Sequence, residues 1–390
     1  MAIIVKKFGG TSVGSIELIQ NIAHNIAQQK REGDSLVLVV SAMAKTTDGL
    51  MELAHQICEH PSRRELDMLL TAGERISMAL LSLSLQKEGL SSISFTGSQS
   101  GIITDNRHGN ARILEVNAFR INQELEKGKI VIVAGFQGVS QAKEITTLGR
   151  GGSDTSAVAL ACYLNAGKCE IYSDVDGVFS ADPKLVPQAR LLQEIDHAQM
   201  LALANAGSKV MHPRAVEFAQ RFKIPVELKS SFSFAPGTLI HQIKRNSTEM
   251  EDKKITAIAH KEGLLRLVLP AKQGLELFSS GTHIEFFRYE IQRDRLELFI
   301  EGSFVAEAEF LLQEKGIEVL EREDGLGWVS LVGLGIETDA QILSRVLQSC
   351  FAFQVLRVVP GNMNIGLMLP SQQTQDCLQA LHNTFFGDEQ

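Results

Sequence analysis

Short continuous apolar runs alternate with longer segments of helical spacing over roughly the first 230 residues of the chain. The apolar runs have the length and composition of strands buried on both faces of a parallel sheet. They occupy residues 2–6, 35–42, 92–96, 129–135 and 169–173. Helical patterns lie between them, at residues 16–26, 65–86, 113–126 and 156–166. This alternation predicts an α/β fold with a mostly parallel, doubly wound central sheet and helices on both faces.

The pattern changes beyond residues 230–248, a stretch rich in Ser, Pro, Gly and Asn that we interpret as a domain boundary. Shorter units follow it. Strands are predicted at 255–259, 264–269, 283–287, 295–301, 318–321, 328–333, 354–359 and 362–369, and helices at 304–315, 339–349 and 372–386. This order fits two small βαββαβ-like modules.

Composition narrows the class of protein. The chain has 390 residues, of which 44% are hydrophobic and 22% charged, which is typical of a globular protein with two or three domains. The net charge of −8 argues against a nucleic-acid surface. We see no apolar run of the roughly 20 residues that a membrane span needs, and no signal-peptide pattern, so we expect a cytoplasmic protein without a membrane partner. The five cysteines show no metal-type spacing.

The segment 146–157, TTLGRGGSDTSA, has the features of an anion-binding loop. Its glycines let the backbone turn tightly, and the helix predicted after it would direct unpaired N–H groups at a ligand. Arg150 adds a planar, charged group suited to a carboxylate or phosphate. Ser153 and Asp154 stand where a helix cap or a ligand contact is expected. A glycine-rich turn with an ordinary N-cap is the alternative interpretation.

A second glycine turn, Lys7-Phe8-Gly9-Gly10-Thr11-Ser12, follows the first predicted strand and precedes a helix. A strand, a glycine turn and a helix together offer a phosphate both backbone N–H groups and a lysine. The turn is not a Walker P-loop, because its lysine precedes the glycines. Lys7 could equally be a surface lysine at the end of a strand.

Polar residues follow the next strand as well. Ser41 and Thr47 lie just past its carboxyl end, where ligands of open α/β sheets usually bind. The helical pattern at 65–86 carries Gly73-Glu74-Arg75 in its middle, and a glycine there indicates a close approach by another segment. Glu74 is either a receptor for an ammonium group or a core carboxylate paired with Arg75 or another basic residue.

The loop at 173–184 contains Ser173, Asp174, Phe179 and Lys184. It resembles the start of a calcium loop only superficially, because the remaining EF-hand ligands are missing. Lys209 precedes another predicted helix, and we expect it to project into the same region as Lys7. His197 and His212 have no partner at ligand spacing, which favours cap or core roles over metal binding.

Taken together, five motifs resemble the signature set of the aspartate kinases. They are KFGGTS at 7–12, LGRGGSD at 148–154, DVDGVF at 174–179, Asp182-Pro183, and GSKVMHPR at 207–214. The resemblance implies an amino-acid kinase fold at 1–245 and paired ACT-like regulatory modules at 250–390. It further implies that the second module, about 325–361, is inserted within the first.

The resemblance also implies the site. Lys7, Asp154 and Gly10 would be catalytic, and ATP would contact Lys7, Gly9, Gly10, Ser12, Ser173, Asp174, Phe179, Lys184 and Lys209. Ser41, Thr47, Glu74, Arg150 and Ser153 would bind L-aspartate, with Arg150 on a carboxylate and Glu74 on the ammonium group. Mg²⁺ would be held largely by phosphates and water, so no metal-binding side chain is predicted. At Lys184 the family more often has arginine, which leaves the details of that contact open.

The resemblance extends to regulation and to assembly. The resemblance implies lysine or threonine as a feedback effector and a homodimer or higher homo-oligomer formed through the modules. The turns expected to bind an effector depart here from the family pattern, at residues 271–274, 337–340 and 359–362. No effector residue is therefore predicted. Another amino-acid kinase, or a non-catalytic amino-acid sensor, remain the alternative functions.

Overall fold

A computed structural model describes residues 2–31, 33–243, 255–279 and 286–387. The chain divides into two compact units. The first comprises Met1–Val178, Leu191–Leu201 and Lys209–Arg245, and the second comprises Phe179–Arg190, Ala202–Ser208 and Asn246–Gln390. The segment 246–248, which matches a glycosylation sequon, and most of the strand predicted at 283–287 lie outside the described residues.

The elements up to residue 243 follow the predicted alternation. They are β1 Ile3–Phe8, α1 Ile16–Gln29, β2 Ser35–Val40, α2 Thr46–Ile57, α3 Arg63–Leu70, α4 Ala72–Lys87, β3 Ser92–Phe95, β4 Ile102–Thr104, β5 Ile113–Val116, α5 Phe119–Glu126, β6 Ile130–Ala134, β7 Gln137–Ser140, β8 Ile145–Thr147, α6 Gly152–Tyr163, β9 Lys168–Ser173, β10 Glu194–Asp196, α7 His197–Asn205, α8 Pro213–Phe222, β11 Val226–Ser230 and β12 Thr238–His241.

Eight of these strands form the central sheet, in the order β10-β12-β11-β9-β1-β2-β6-β3. All its neighbours pair in parallel except β11 with β12. The inner strands β2 and β6 are almost wholly apolar and buried, as expected for a sheet covered on both faces. The predicted α/β class with a mostly parallel sheet is confirmed.

Three sequence predictions in this part were wrong in detail. The single helix predicted at 65–86 is divided into α3 and α4, so Gly73 lies in the first turn of α4 and not in the middle of a helix. Residues 113–126 form a strand and then a helix, because Ile113–Val116 pairs with β4 in a second sheet of order β5-β4-β7-β8. The sequence Phe136-Gln137-Gly138, directly after a buried strand, also predicts a turn, yet Gln137 and Gly138 begin β7. The turn falls one residue earlier, at Phe136, whose φ is 67°.

One helical stretch, Arg63–Lys87, is long and apolar enough to cross a membrane by length and composition, contrary to the sequence expectation. It spans α3 and α4. Leu81 and Leu85 are fully buried, and the buried polar side chains of Asp67 and Glu74 lie on the same stretch. Because core helices of globular proteins pass the same test, we interpret it as a core element of the first unit.

The second unit contains a six-stranded antiparallel sheet of order β14-β15-β13-β16-β18-β17. Its elements are β13 Ile255–Pro270, α9 Ala271–Ser279, β14 Arg288–Gln292, β15 Arg295–Glu301, α10 Val305–Glu314, β16 Glu321–Gly333, α11 Ala340–Ser349, β17 Arg357–Gly361, β18 Asn364–Pro370 and α12 Thr374–Phe386. The α+β character predicted for this part is present. The strand pairs predicted at 255–269 and 318–333 are each one long strand, and bulges near Lys261 and Leu264 interrupt the pairing of β13 with β16.

Candidate functional site

The carboxyl ends of β1, β2 and β9 are tied together by backbone hydrogen bonds. Gly9 N donates to the carbonyl of Tyr172 at 3.1 Å, and Ser41 N donates to the carbonyl of Phe8 at 3.1 Å. A Cβ on Gly10 would lie 3.0 Å from the carbonyl oxygen of Ala42. The glycine turn after β1 is therefore packed tightly against the end of β2, where a larger residue would force the strands apart.

Lys7 and Asp154 come from distant segments and form an ion pair. The Lys7 Nζ lies 2.6 Å from the Asp154 Oδ1, and the two side chains are 10% and 14% exposed. Asp154 belongs to the first turn of α6, whose N terminus, at Gly151, has no side-chain cap among the described residues. The structure thus brings a lysine, an aspartate and an uncapped helix N terminus to one place. Such an arrangement suits a phosphate.

The loop before α6 depends on its glycines. Gly149 and Gly151 have φ of 76° and 62°, in the left-handed region that favours glycine. A Cβ on Gly151 would lie 2.3 Å from the Cβ of His212. His212 itself accepts a hydrogen bond from Arg214 N as the N-cap of α8, so its role is structural, as expected. Arg150, between the two glycines, is exposed.

Glu74 is a second buried acid at this sheet edge. Only 3% of the surface of Glu74 is exposed to solvent. Its Oε1 accepts a hydrogen bond from Ala42 N at 3.1 Å, whereas its Oε2 is buried without a hydrogen-bond partner in the part of the chain that the structure describes. Burial raises the pKa of the Glu74 carboxyl to about 7. An ammonium group placed at Oε2 would supply the missing partner.

The alternative pairing of Glu74 with Arg75 is not formed, since Arg75 Nε is also buried without a partner among the described residues. The close approach predicted at Gly73 is present. A Cβ there would lie 2.7 Å from the Cβ of Ala42 and 3.5 Å from Cγ2 of Thr46. The helix α4 therefore presses Glu74 directly against the segment that follows β2, the segment that carries Ser41 and Thr47.

Ser153 joins the same sheet edge through β6. Gly135 N donates to the carbonyl of Val40 at 2.9 Å, and a Cβ on Gly135 would lie 2.9 Å from the Ser153 side chain. Because Val40 immediately precedes Ser41, Ser153 stands near the end of β2. The carboxyl edge of β1, β2 and β6 thus gathers most of the residues predicted for catalysis and for the amino acid.

Some of the predicted nucleotide residues belong to the first unit and others to the second. Ser12 and Ser173 are linked through Ser231, because the Ser12 hydroxyl donates to Ser231 Oγ at 2.9 Å and the Ser231 hydroxyl donates to the Ser173 carbonyl at 3.0 Å. Asp174 and Lys209 are exposed residues of the first unit. Phe179 and Lys184 belong to the second unit, and their contact with nucleotide remains a prediction.

Several residues at the site escaped sequence reasoning. Ser231 lies in a serine-rich stretch that gives no specific signal. Asp67, Thr147 and Arg214 fix the loop that carries Arg150, and only the fold shows that they meet. The alternative in which Lys7 is a surface lysine is wrong: the residue is 8% exposed because Asp154 and the glycine turn enclose it.

No cluster of three or more His, Cys, Asp or Glu side chains that could hold a metal ion occurs in the described ranges. Asp154, the acid nearest the uncapped helix, is engaged by Lys7. This donor set fits Mg²⁺ carried mainly by phosphate oxygens and water, the usual arrangement for nucleotide-bound magnesium.

Comparisons with known proteins agree with the geometry. The sequence profile of the amino acid kinase family matches residues 2–230. The chain is 41% identical to an aspartokinase of Geobacillus stearothermophilus, covering 99% of this chain and 97% of the relative. It is 39% identical to an aspartokinase of Thermus thermophilus, covering all of both chains. The crystal structure of E. coli aspartokinase III in complex with aspartate and ADP has a similar fold, with a TM-score of 0.84 at 24% identity over 98% of this chain and 100% of that one.

The chain is therefore a member of the amino acid kinase family. Within that family it belongs to the aspartokinases, since its similarity to them extends over nearly the whole length of both sequences.

Proposed function

We propose that the protein transfers the γ-phosphoryl group of ATP to the side-chain carboxylate of L-aspartate, giving 4-phospho-L-aspartate, the first step toward lysine, threonine and methionine. The observation that supports this proposal most directly is that groups suited to a phosphate and groups suited to an amino acid lie at the same edge of the central sheet. Lys7, Asp154 and the α6 N terminus suit a phosphate, and Glu74 has a buried oxygen that lacks a partner among the described residues and suits an ammonium group.

The chemistry needs no general base, because the carboxylate nucleophile is already ionised at neutral pH. Catalysis then consists mainly of positioning and charge neutralisation. Lys7 neutralises charge on the transferring phosphoryl group, and Asp154 orients the lysine through the 2.6 Å ion pair. Gly9 and Gly10 line the path of the phosphate, and a side chain at Gly10 would crowd the end of β2, since its Cβ would lie 3.0 Å from the Ala42 carbonyl oxygen.

The amino acid is held by groups around the end of β2. Glu74 Oε2 takes the ammonium group, and Arg150 holds a carboxylate bidentately. Ser41, Thr47 and Ser153 complete this pocket with hydroxyl groups. The group that attacks the phosphorus is then the side-chain carboxylate, the part of the substrate farthest from Glu74. A well-oriented pair of reactants accounts for a large share of the rate enhancement in such reactions.

The nucleotide contacts follow from the resemblance. Ser12, Ser173, Asp174, Phe179, Lys184 and Lys209 would contact ATP, together with Lys7, Gly9 and Gly10. Mg²⁺ supplies charge neutralisation at the phosphates when it is bound with the nucleotide. The structure of E. coli aspartokinase III with ADP and aspartate supports nucleotide use by this fold.

Regulation and assembly are proposed on the same basis. A second structure of E. coli aspartokinase III contains lysine and aspartate, which supports an amino-acid effector for this protein, namely lysine or threonine. We propose a cytoplasmic homodimer or higher homo-oligomer formed through the second unit. Titrating lysine and threonine against activity, singly and together, identifies the effector. Light scattering measures the assembly.

A hydroxamate-coupled assay tests the activity. Aspartate, glutamate and N-acetylglutamate are each supplied with ATP and Mg²⁺, and acyl phosphate is trapped with hydroxylamine. We expect turnover with aspartate only. Turnover with N-acetylglutamate but not aspartate would contradict the role of Glu74, because that substrate has no ammonium group.

A further inference from the structure

The Asp67 carboxylate holds together three segments of the first unit. It comes from α3 and is completely buried. The Thr147 hydroxyl donates to its Oδ1 at 2.6 Å, and Gly109 N donates to the same oxygen at 3.1 Å. The His108 ring Nδ1 lies 2.7 Å from Oδ2. A buried carboxylate is stable only when hydrogen bonds replace its lost water. Asp67 therefore fixes the end of β8 and the 108–109 turn to each other.

Arg214, at the start of α8, fixes the same two segments through a second set of hydrogen bonds. Its Nη1 donates to the carbonyl of Leu148 at 2.6 Å and to Asn110 Oδ1 at 3.0 Å. Its Nη2 donates to the carbonyl of Ala111 at 2.8 Å. The rigid guanidinium thus spans three acceptors at once, which a lysine cannot do.

The segment between these two anchors has little room to move. Ala111 N donates to the carbonyl of Thr147 at 2.8 Å. A Cβ on Gly149 would lie 3.1 Å from Asn110 Oδ1 and 3.2 Å from the Gly109 carbonyl oxygen. Residues 147–149 are therefore packed along the 108–111 turn, immediately before Arg150.

We propose that Asp67 and Arg214 are positioning residues for the amino-acid substrate. By fixing residues 147–149 to the 108–111 turn, they set where the Arg150 guanidinium meets the substrate carboxylate. This inference rests on the proposed function, in which Arg150 binds aspartate. The hydrogen bonds of these two side chains described above go to residues 108–111 and 147–148, whereas Lys7 pairs with Asp154, so we expect their effect to fall on the amino acid and not on the phosphate.

Two adjacent threonines of β8 provide a matched test. Thr147→Val removes the hydroxyl that binds Asp67 and keeps the shape of the side chain. Thr146→Val is the control, because the Thr146 hydroxyl lies 2.7 Å from that of Thr104 and takes no part in the Asp67 network. Both threonines are at most 1% exposed, so the two variants lose one buried hydrogen bond each. Thr147→Ser restores the hydroxyl.

Steady-state kinetics on the full-length enzyme give the readout. We expect Thr147→Val to raise the KM for aspartate about tenfold and to leave the KM for ATP within about twofold. Thr147→Ser should return to nearly the wild-type value, and Thr146→Val should change neither constant. Arg214→Lys, which keeps the charge but loses the fork, should shift the aspartate KM in the same direction.

Equal KM changes for aspartate in Thr147→Val and Thr146→Val, or equal changes for aspartate and ATP, would overturn the proposal. Failure of the proposed function is distinguishable, because the wild-type enzyme would then show no aspartate-dependent turnover at all. Melting temperatures measured beside the kinetics show whether the two valine variants lose similar stability. If they do, a difference in KM reports positioning and not loss of folded protein.

Discussion

The phosphate side and the amino-acid side of the site each contain a buried acid, and the two acids differ in their partners. On the phosphate side, Asp154 is paired with Lys7 at 2.6 Å before any ligand is bound. On the amino-acid side, Glu74 keeps one oxygen without a partner in the described chain, and burial raises the pKa of its carboxyl to about 7. Asp154 is neutralised within the chain by the lysine that we propose to be catalytic. In the proposed function, the substrate ammonium group supplies the partner that Glu74 Oε2 does not have among the described residues.

We expect the largest effect from Lys7→Ala, which removes the ion pair on the phosphate side. The transferring phosphoryl group would lose its neutralising charge, and we expect kcat to fall by about a thousandfold or more. Because Asp154 would be left buried and unpaired, we also expect a stability loss of about 3 kcal/mol. Stopped assays and thermal unfolding measure the two effects.

Lys6→Ala is the matched control. Lys6 is also 8% exposed and forms its own ion pair, with Glu170 at 3.2 Å. Because Glu170 keeps its ion pairs with Lys168 and Lys229, the variant should lose less stability than Lys7→Ala, and it should keep kcat within a few fold. Equal loss of kcat in both variants would mean that Lys7 acts only through folding.

Glu74→Gln tests the amino-acid side. The amide keeps the shape of the carboxyl but cannot neutralise an ammonium group, so we expect the KM for aspartate to rise about a hundredfold with a smaller change in kcat. An unfolded variant would instead support the interpretation of Glu74 as a core carboxylate. Circular dichroism beside the kinetics separates the two results.

The raised pKa of Glu74 predicts a pH dependence. In the unfolded chain this carboxyl ionises near 4.5, whereas in the fold it holds its proton to about 7. Stability should therefore fall as the pH rises from about 4.5 to 7, by about 3 kcal/mol from this group, and then level off. The KM for aspartate should fall over the same rise through pH 7, because only ionised Glu74 attracts the ammonium group. Glu74→Gln should remove both trends.

The smallest effect is expected at the serine link between β1 and β9. Ser231→Ala would remove the partner of Ser12 and of the Ser173 carbonyl, at a cost of about 1 kcal/mol. We expect a rise of a few fold in the KM for ATP and an unchanged KM for aspartate. A larger shift for aspartate than for ATP would contradict the division of the site into two sides.

The sequence alone was enough to predict five of the eight strands of the central sheet, because β1, β2, β3, β6 and β9 are short and largely apolar runs. The strands β10, β11 and β12 were not predicted. Lys7 and Asp154 were also predictable, since each stands beside a glycine motif. The small sheet that contains β4, β5, β7 and β8 was missed because its strands have three or four residues each and carry no clear periodicity.

Contacts between distant segments could not be predicted. Asp67 is an ordinary acid in an amphipathic helix, and its role depends on Thr147, eighty residues further along the chain. The sequence offered Arg75 as a partner for Glu74, whereas in the fold Glu74 Oε2 and Arg75 Nε each have no hydrogen-bond partner within the described ranges. The periodicity of apolar residues identifies helices and strands, whereas the packing of distant segments determines which side chains meet at the edge of the sheet.

The most direct test of the central claim is the number of protons released when aspartate binds. Calorimetric titrations with ADP and Mg²⁺ present, at pH 7 in buffers of different ionisation enthalpy, measure that number. If the substrate ammonium group completes Glu74, aspartate binding should expel about half a proton from wild-type enzyme and none from Glu74→Gln, because a group with a pKa of about 7 is half protonated at this pH. Identical proton release by the two proteins would contradict the account.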